Sequence, residues 1–257
     1  MEQPPSLSEV QSATPKPPAM SLAARMMNIF AAPSEVFEDI KNSPPSTANW
    51  LVPAVVLVVV GWICSGIVLS QDAFRHQVSD LVEKSIQAQV EKSHMTEQQA
   101  DAARKIGEIS WKVQVAVGPA FIAFVTPFIW GFFLWLVGRK TSLPYMKAVE
   151  TVGLASTVGI LEAVVKTLLI FVTGNIMAST SLAMFVKDFN PQNTTHALFA
   201  IVNVMTFWVL AVRAIGLARI TNVAIGKALA WVFGIWISYT AFFWAIGVAL
   251  QHIFAKK

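Results

Sequence analysis

Glu162 and Lys166 are the residues whose types and spacing most invite chemistry: an acid and a base four positions apart within an apolar run. That spacing puts both on one helix face, with the glutamate on the N-terminal side, the better order for pairing. In hydrocarbon either charge alone costs about 2.5–3.5 kcal/mol on insertion scales, so the pair predicts a face turned into a helix bundle. Two readings stay open. The pair serves as a proton or ion relay or a gate, or it is an internal ion pair that orients helices and meets Asn203 or Arg213 on the next apolar run. Arg213 is the secondary candidate. It sits four residues before the end of its run, from where its long stem can snorkel to the headgroups.

Other chemistry is excluded more easily than it is found. The chain has no H-E-x-x-H, G-x-S-x-G or P-loop pattern, so no enzyme activity and no cofactor are expected. His76, His94, His196 and His252 lack any i, i+4 metal spacing, and no metal site is expected from them. Cys64 is the single cysteine, so no intrachain disulfide or zinc cluster can form. The excess of four positive charges is dispersed around the ends of the apolar runs, where anionic lipid accounts for it. No basic stripe suits nucleic acid.

The elements that must position these residues are apolar runs at about residues 51–70, 113–137, 149–172, 197–217 and 228–250. Each approaches or exceeds the roughly 20 residues that cross a ~30 Å hydrocarbon core. Apolar residues make up 55% of the chain and charged residues 13%, about half the charge content of a soluble domain. With lipid as solvent the backbone must satisfy itself within each span, so an all-α bundle of five transmembrane helices is predicted. Runs such as residues 55–60 do not alternate, which argues against a barrel.

Residues 1–20 form a proline-rich tail too polar to bury a core; residues 21–257 form one membrane domain. Ser21 is a candidate cap for an amphipathic helix carrying Leu22, Met26, Ile29 and Phe30, with Arg25 and Asn28 off that face. After Pro33, the residues Val36, Phe37 and Ile40 resume an apolar face. This segment either lies at the membrane interface or packs under the bundle. Residues 71–112 carry six Lys/Arg against seven Asp/Glu and read as an extramembrane helical hairpin. Thr96 and Gln99 match a capping box, with Met95 stapling against Ala100. Pro119 and Pro127 interrupt the second span, as kinks of an ordinary bundle or as breaks that build a site. Basic residues cluster in the second and fourth loops (Arg139, Lys140, Lys147; Arg219, Lys227), and the third loop has only Lys187. An N-terminus in the cytoplasm and a C-terminus outside follow.

The segment Met27 to Phe37, with Phe30, Pro33 and Phe37, resembles the N-terminal F-x-x-P-x-x-x-F pattern of the Yip1 family. Trp50-Leu51-Val52-Pro53 stands where eukaryotic members carry D-L-Y-G-P, sharing only the proline. Thr141 to Ser156 resembles the family's third-span start without its tyrosine. Trp208 to Leu217 and Gly226-Lys227-Ala228 resemble its fourth-span ending and lysine-opened fifth span. The resemblance covers about residues 22–254 and is to the bacterial branch. It implies five transmembrane helices, in the bacterial cytoplasmic membrane, with the same N-in, C-out topology. Eukaryotic relatives are trafficking factors that bind Rab-type GTPases, a role that does not carry over without their motifs. The expected function is that of a non-enzymatic scaffold or accessory subunit, with the bilayer and either a membrane-protein partner or a second copy as partners. The alternative is a small transporter or channel with Glu162 and Lys166 in its path. Small residues at Gly61, Gly66, Gly153 and Gly159 permit close helix approach.

Overall fold

A computed structural model describes residues 19–93, 96–187, 189–190 and 193–255, with side chains except those of 89, 91–93 and 250–255. The tail up to residue 18, the Met95 staple, and the His94 and His252 side chains lie outside the described residues. Helices account for nearly all the regular structure: α1 (Leu22–Asn28), α2 (Pro33–Asn42), α3 (Ala48–Leu69), α4 (Asp72–Ser93), α5 (Glu97–Gly138), α6 (Tyr145–Ala155), α7 (Thr157–Thr173), α8 (Thr194–Ile201), α9 (Val204–Thr221) and α10 (Ile225–Ala255). Among the described residues there is no strand, only an isolated bridge between Ser181 and Asn203. Among the described residues, five helices are long and apolar enough to cross a membrane: α3, α5, the α6–α7 pair, α9 and α10.

Local sequence explains the boundaries. Thr96 accepts from the Gln99 amide while Gln99 reaches back to the Thr96 amide, the reciprocal cap that starts α5. From there α5 runs 42 residues through Pro119 and Pro127 without interruption. At 1.5 Å per residue it is about 63 Å long, twice the hydrocarbon thickness. Its first half therefore projects beyond the bilayer beside α4. There Arg104 of α5 pairs with Glu83 of α4 at 3.2 Å, and Val82 and Ile86 close over Gly107. Gln77 of α4 bonds both the Gly174 carbonyl and the Ile176 amide, at 2.8 and 2.9 Å, anchoring the hairpin to the loop after α7.

Two apolar runs are not single helices. The run at 149–172 is divided into α6 and α7 at Ser156, whose hydroxyl donates to the Gly153 carbonyl at 2.5 Å. The run at 197–217 breaks at Val202–Asn203. Asn203 caps α9 by accepting from the Met205 and Thr206 amides, as a short amide side chain is suited to do. Residues 180–182 bond back across the break through the Val204 and Leu182 amides. The membrane-length helix is thus Val204–Thr221, shifted toward the C-terminus from the expected span.

Helix α6 is the keystone: every residue from Lys147 to Ala155 is buried. One cluster joins Leu134, Val152, Leu210, Leu217 and Val232 of α5, α6, α9 and α10. Another buries Ile29, Val36, Phe37 and Ile40 against Leu154, Val158 and Val212. The apolar face of α2 is therefore packed on the bundle. Beneath it lies a polar network that periodicity could not foresee. Arg25, placed off the apolar face by spacing, is only 7% exposed. It donates to Asp39 at 2.8 Å, Asn49 at 2.9 Å and Ser43 at 3.0 Å. Asn49 donates on to Glu150 at 2.8 Å, and Lys147 donates to the Ile40 and Ser43 carbonyls and to Glu150. Four helices are tied by charges that satisfy one another, the condition under which buried charges are tolerated.

Candidate functional site

A cavity of about 320 Å³ opens between α3, α5, α7, α9 and α10, at the depth of the spans. Arg213 and Glu162 both line it, with the hydroxyls of Thr126, Ser156, Thr206 and Tyr239 and the rings of Trp130 and Trp236.

Arg213 falls here because α9 starts at Val204 and ends at Thr221, which puts the arginine near mid-helix rather than at a span end. It does not snorkel outward. Its side chain is 6% exposed, with the guanidinium carbon 4.5 Å from the Trp130 ring centroid. Stacking on an aromatic face suits the planar, weakly hydrated guanidinium. The Nε hydrogen is buried without an acceptor in the protein, and among the described ion pairs none involves Arg213.

Glu162 is half-buried and accepts a hydrogen bond from the Asn203 amide nitrogen at 3.0 Å. Thr180 donates to the other end of that amide at 2.8 Å. Asn203 thus serves as helix cap, loop clamp and partner of the intramembrane acid, the meeting with the fourth span that the spacing anticipated. Lys166 goes elsewhere. It is exposed and lines a separate cavity of about 300 Å³ with Ser65, Pro119 and Thr167. No ion pair joins it to Glu162: the acid leans to α9, where a donor waits, and the lysine one turn on faces α3 and α5. The i, i+4 rule brings Cβ atoms together but does not choose the side chains' partners. The two cavities follow one another along α7, with acid, base and hydroxyls on their walls. Such a series can hold water or a polar solute; it contains no nucleophile–base–orienter set. Among the described residues, no three His, Cys, Asp or Glu gather as a metal would need.

Sequence reasoning named Glu162, Lys166 and Arg213 but missed Trp130, the platform under the arginine. Its only signal was an aromatic in an aromatic-rich span. The two described histidines lie apart from the cavity: the His196 ring stacks on Phe189, centroids 5.9 Å apart, and His76 is exposed on α4.

The segments that carry the sequence resemblance meet in space around α6. Phe37 and Thr151 close over Gly216, and the Trp50 backbone lies directly on Gly153. Phe30 packs edge-on against Trp208, centroids 5.9 Å apart. These segments thus serve to seat α1, α2 and α3 on the α6–α9 core. Neither a curated protein nor a solved structure matches the chain. A family model for the Yip1 domain matches residues 27–247, from α1 well into α10. The chain is a multi-pass membrane protein of the Yip1-domain family.

Proposed function

We propose that this protein is a non-enzymatic scaffold or accessory subunit of a membrane complex, in a bacterial cytoplasmic membrane, with its N-terminus in the cytoplasm and its C-terminus outside. The observation that carries this reading is α10. From Ile237 to Ala249 not one residue is buried, and the uncovered surface includes Tyr239, Phe242, Phe243 and Trp244. Of the five membrane-length helices among the described residues, α10 is the least covered by the rest of the chain. The packed base under α6, where Arg25, Lys147 and Glu150 are all hydrogen-bonded, supplies a mount for such a surface. Chemical crosslinking in native membranes, then mild-detergent purification of the full-length chain and mass spectrometry, tests this. A stoichiometric membrane-protein partner or a defined homo-oligomer is expected. A monomer carrying only lipid contradicts it.

The cavities favour a second reading, a small transporter or channel whose path passes Glu162 and Lys166. It requires that Glu162→Gln change proton or solute flux in proteoliposomes. Unaltered flux in that variant and in the Glu162→Leu, Lys166→Leu double variant would remove it.

A further inference from the structure

Arg213 poses a question that neither reading answers. Its guanidinium cannot shed its proton in a protein, and it is buried at mid-span with no anionic partner among the described residues. A buried charge of this kind is tolerated only when paired or solvated. The one acid in the same cavity, Glu162, is held by Asn203. Asn203 precedes Arg213 by ten residues along α9, about 15 Å at helical rise, so acid and base occupy opposite ends of the cavity.

We propose that this cavity binds the phosphate group of an anionic ligand, with Arg213 as its principal donor. The guanidinium carbon sits over the Trp130 ring, and the guanidinium's N–H groups form a planar fork, the geometry that takes two oxygens of an anion at once. Thr126 and Thr206 line the same cavity, and among the described residues neither hydroxyl is engaged in a hydrogen bond; the bond that Thr206 makes to Asn203 uses its backbone amide. They supply donors for further oxygens, which a tetrahedral phosphate has and a planar carboxylate lacks. The phosphate can arrive on a lipid headgroup or from solution. Tyr239 favours neither source alone: it lines this cavity and also a largely apolar groove of about 660 Å³ between α5 and α10, a lining of the kind an acyl chain would contact.

The proposal stands apart from the scaffold reading, because a chain without protein partners would still bind phosphate. The test uses the full-length chain in nanodiscs. One arm titrates inorganic phosphate calorimetrically in phosphatidylcholine discs. The other uses native mass spectrometry to count phosphatidylglycerol retained from discs that also contain phosphatidylcholine. Saturable one-to-one binding in either arm is expected, and which arm responds identifies the source. Arg213→Gln should weaken it about tenfold or more, the loss expected for a charge-assisted bond. Glu162→Gln, which removes the opposing charge from the cavity, should tighten it several-fold. No saturable binding in either arm overturns the proposal, as does equal binding by Arg213→Gln. If Arg213→Gln does not fold, an affinity unchanged or weakened in Glu162→Gln overturns it.

Discussion

At the scale of single residues, burial divides the charges into those that hold the fold and those that decorate it. Arg25 stands between Asp39 and Asn49 with nearly all its surface covered. Removing one member of a buried, hydrogen-bonded pair typically costs 3–5 kcal/mol, because the other charge is left stranded. Arg25→Ala should therefore lower unfolding stability in detergent by about 3 kcal/mol or more, read from denaturant midpoints. Lys112→Ala, which removes an exposed i, i+4 partner of Glu108, should leave the midpoint where it is. The sequence could not reveal this difference. The partners of Arg25 lie 14, 18 and 24 positions away, beyond any helical period. Glu162 was more legible: an acid deep inside an apolar run has to find a donor on a neighbouring span, and Asn203 was among the few polar residues available. Its separation from Lys166 was not legible, because spacing reports which side chains can meet and not which partner each prefers.

At the scale of elements, close approach and the hairpin's charges make separate predictions. A Cβ on Gly153 would overlap the Trp50 backbone, whereas one on Gly66 or Gly234 meets open space. Overpacking costs about 1–3 kcal/mol, so Gly153→Ala should lower stability by that amount. Gly66→Ala should be neutral or slightly stabilising in the same assay. In the hairpin, hydrogen bonds from Arg104 and then Gln87 hold the Glu83 carboxyl below its usual value of 4.5. Arg75 does the same for Asp72. A carboxylate depressed in the folded state adds stability at pH values above its unfolded pKa and loses it as pH falls through the folded one. Amide exchange in α4 and the first half of α5 should therefore quicken below about pH 4.5, relative to the intrinsic rate. Rates that hold steady across that range would show that Arg104 does not clamp the two helices. The capping box that opens this hairpin was plain in the sequence because both bonds lie within four residues. The break at Asn203 was hidden inside an apolar run, where hydropathy outweighed the one cap-forming side chain.

At the scale of the whole molecule, the chain divides into a sealed base and an open flank. Helices α1, α2, α6 and α9 close one end through apolar packing and the Arg25–Glu150 network, while α10 leaves along α9 and turns its aromatic half outward. Composition and run lengths made the five-helix, lipid-embedded architecture legible, because lipid leaves the backbone few alternatives. What no composition could convey is which lipid-depth surface the rest of the chain fails to cover. The central claim is that this surface meets another protein. It is tested most directly by placing a photo-crosslinking amino acid at Phe243, with Leu168 of α7 as a second exposed position, in native membranes. A discrete protein adduct is expected at Phe243, either one partner or a second copy, and only lipid adducts at Leu168. Lipid adducts alone at Phe243 would contradict it.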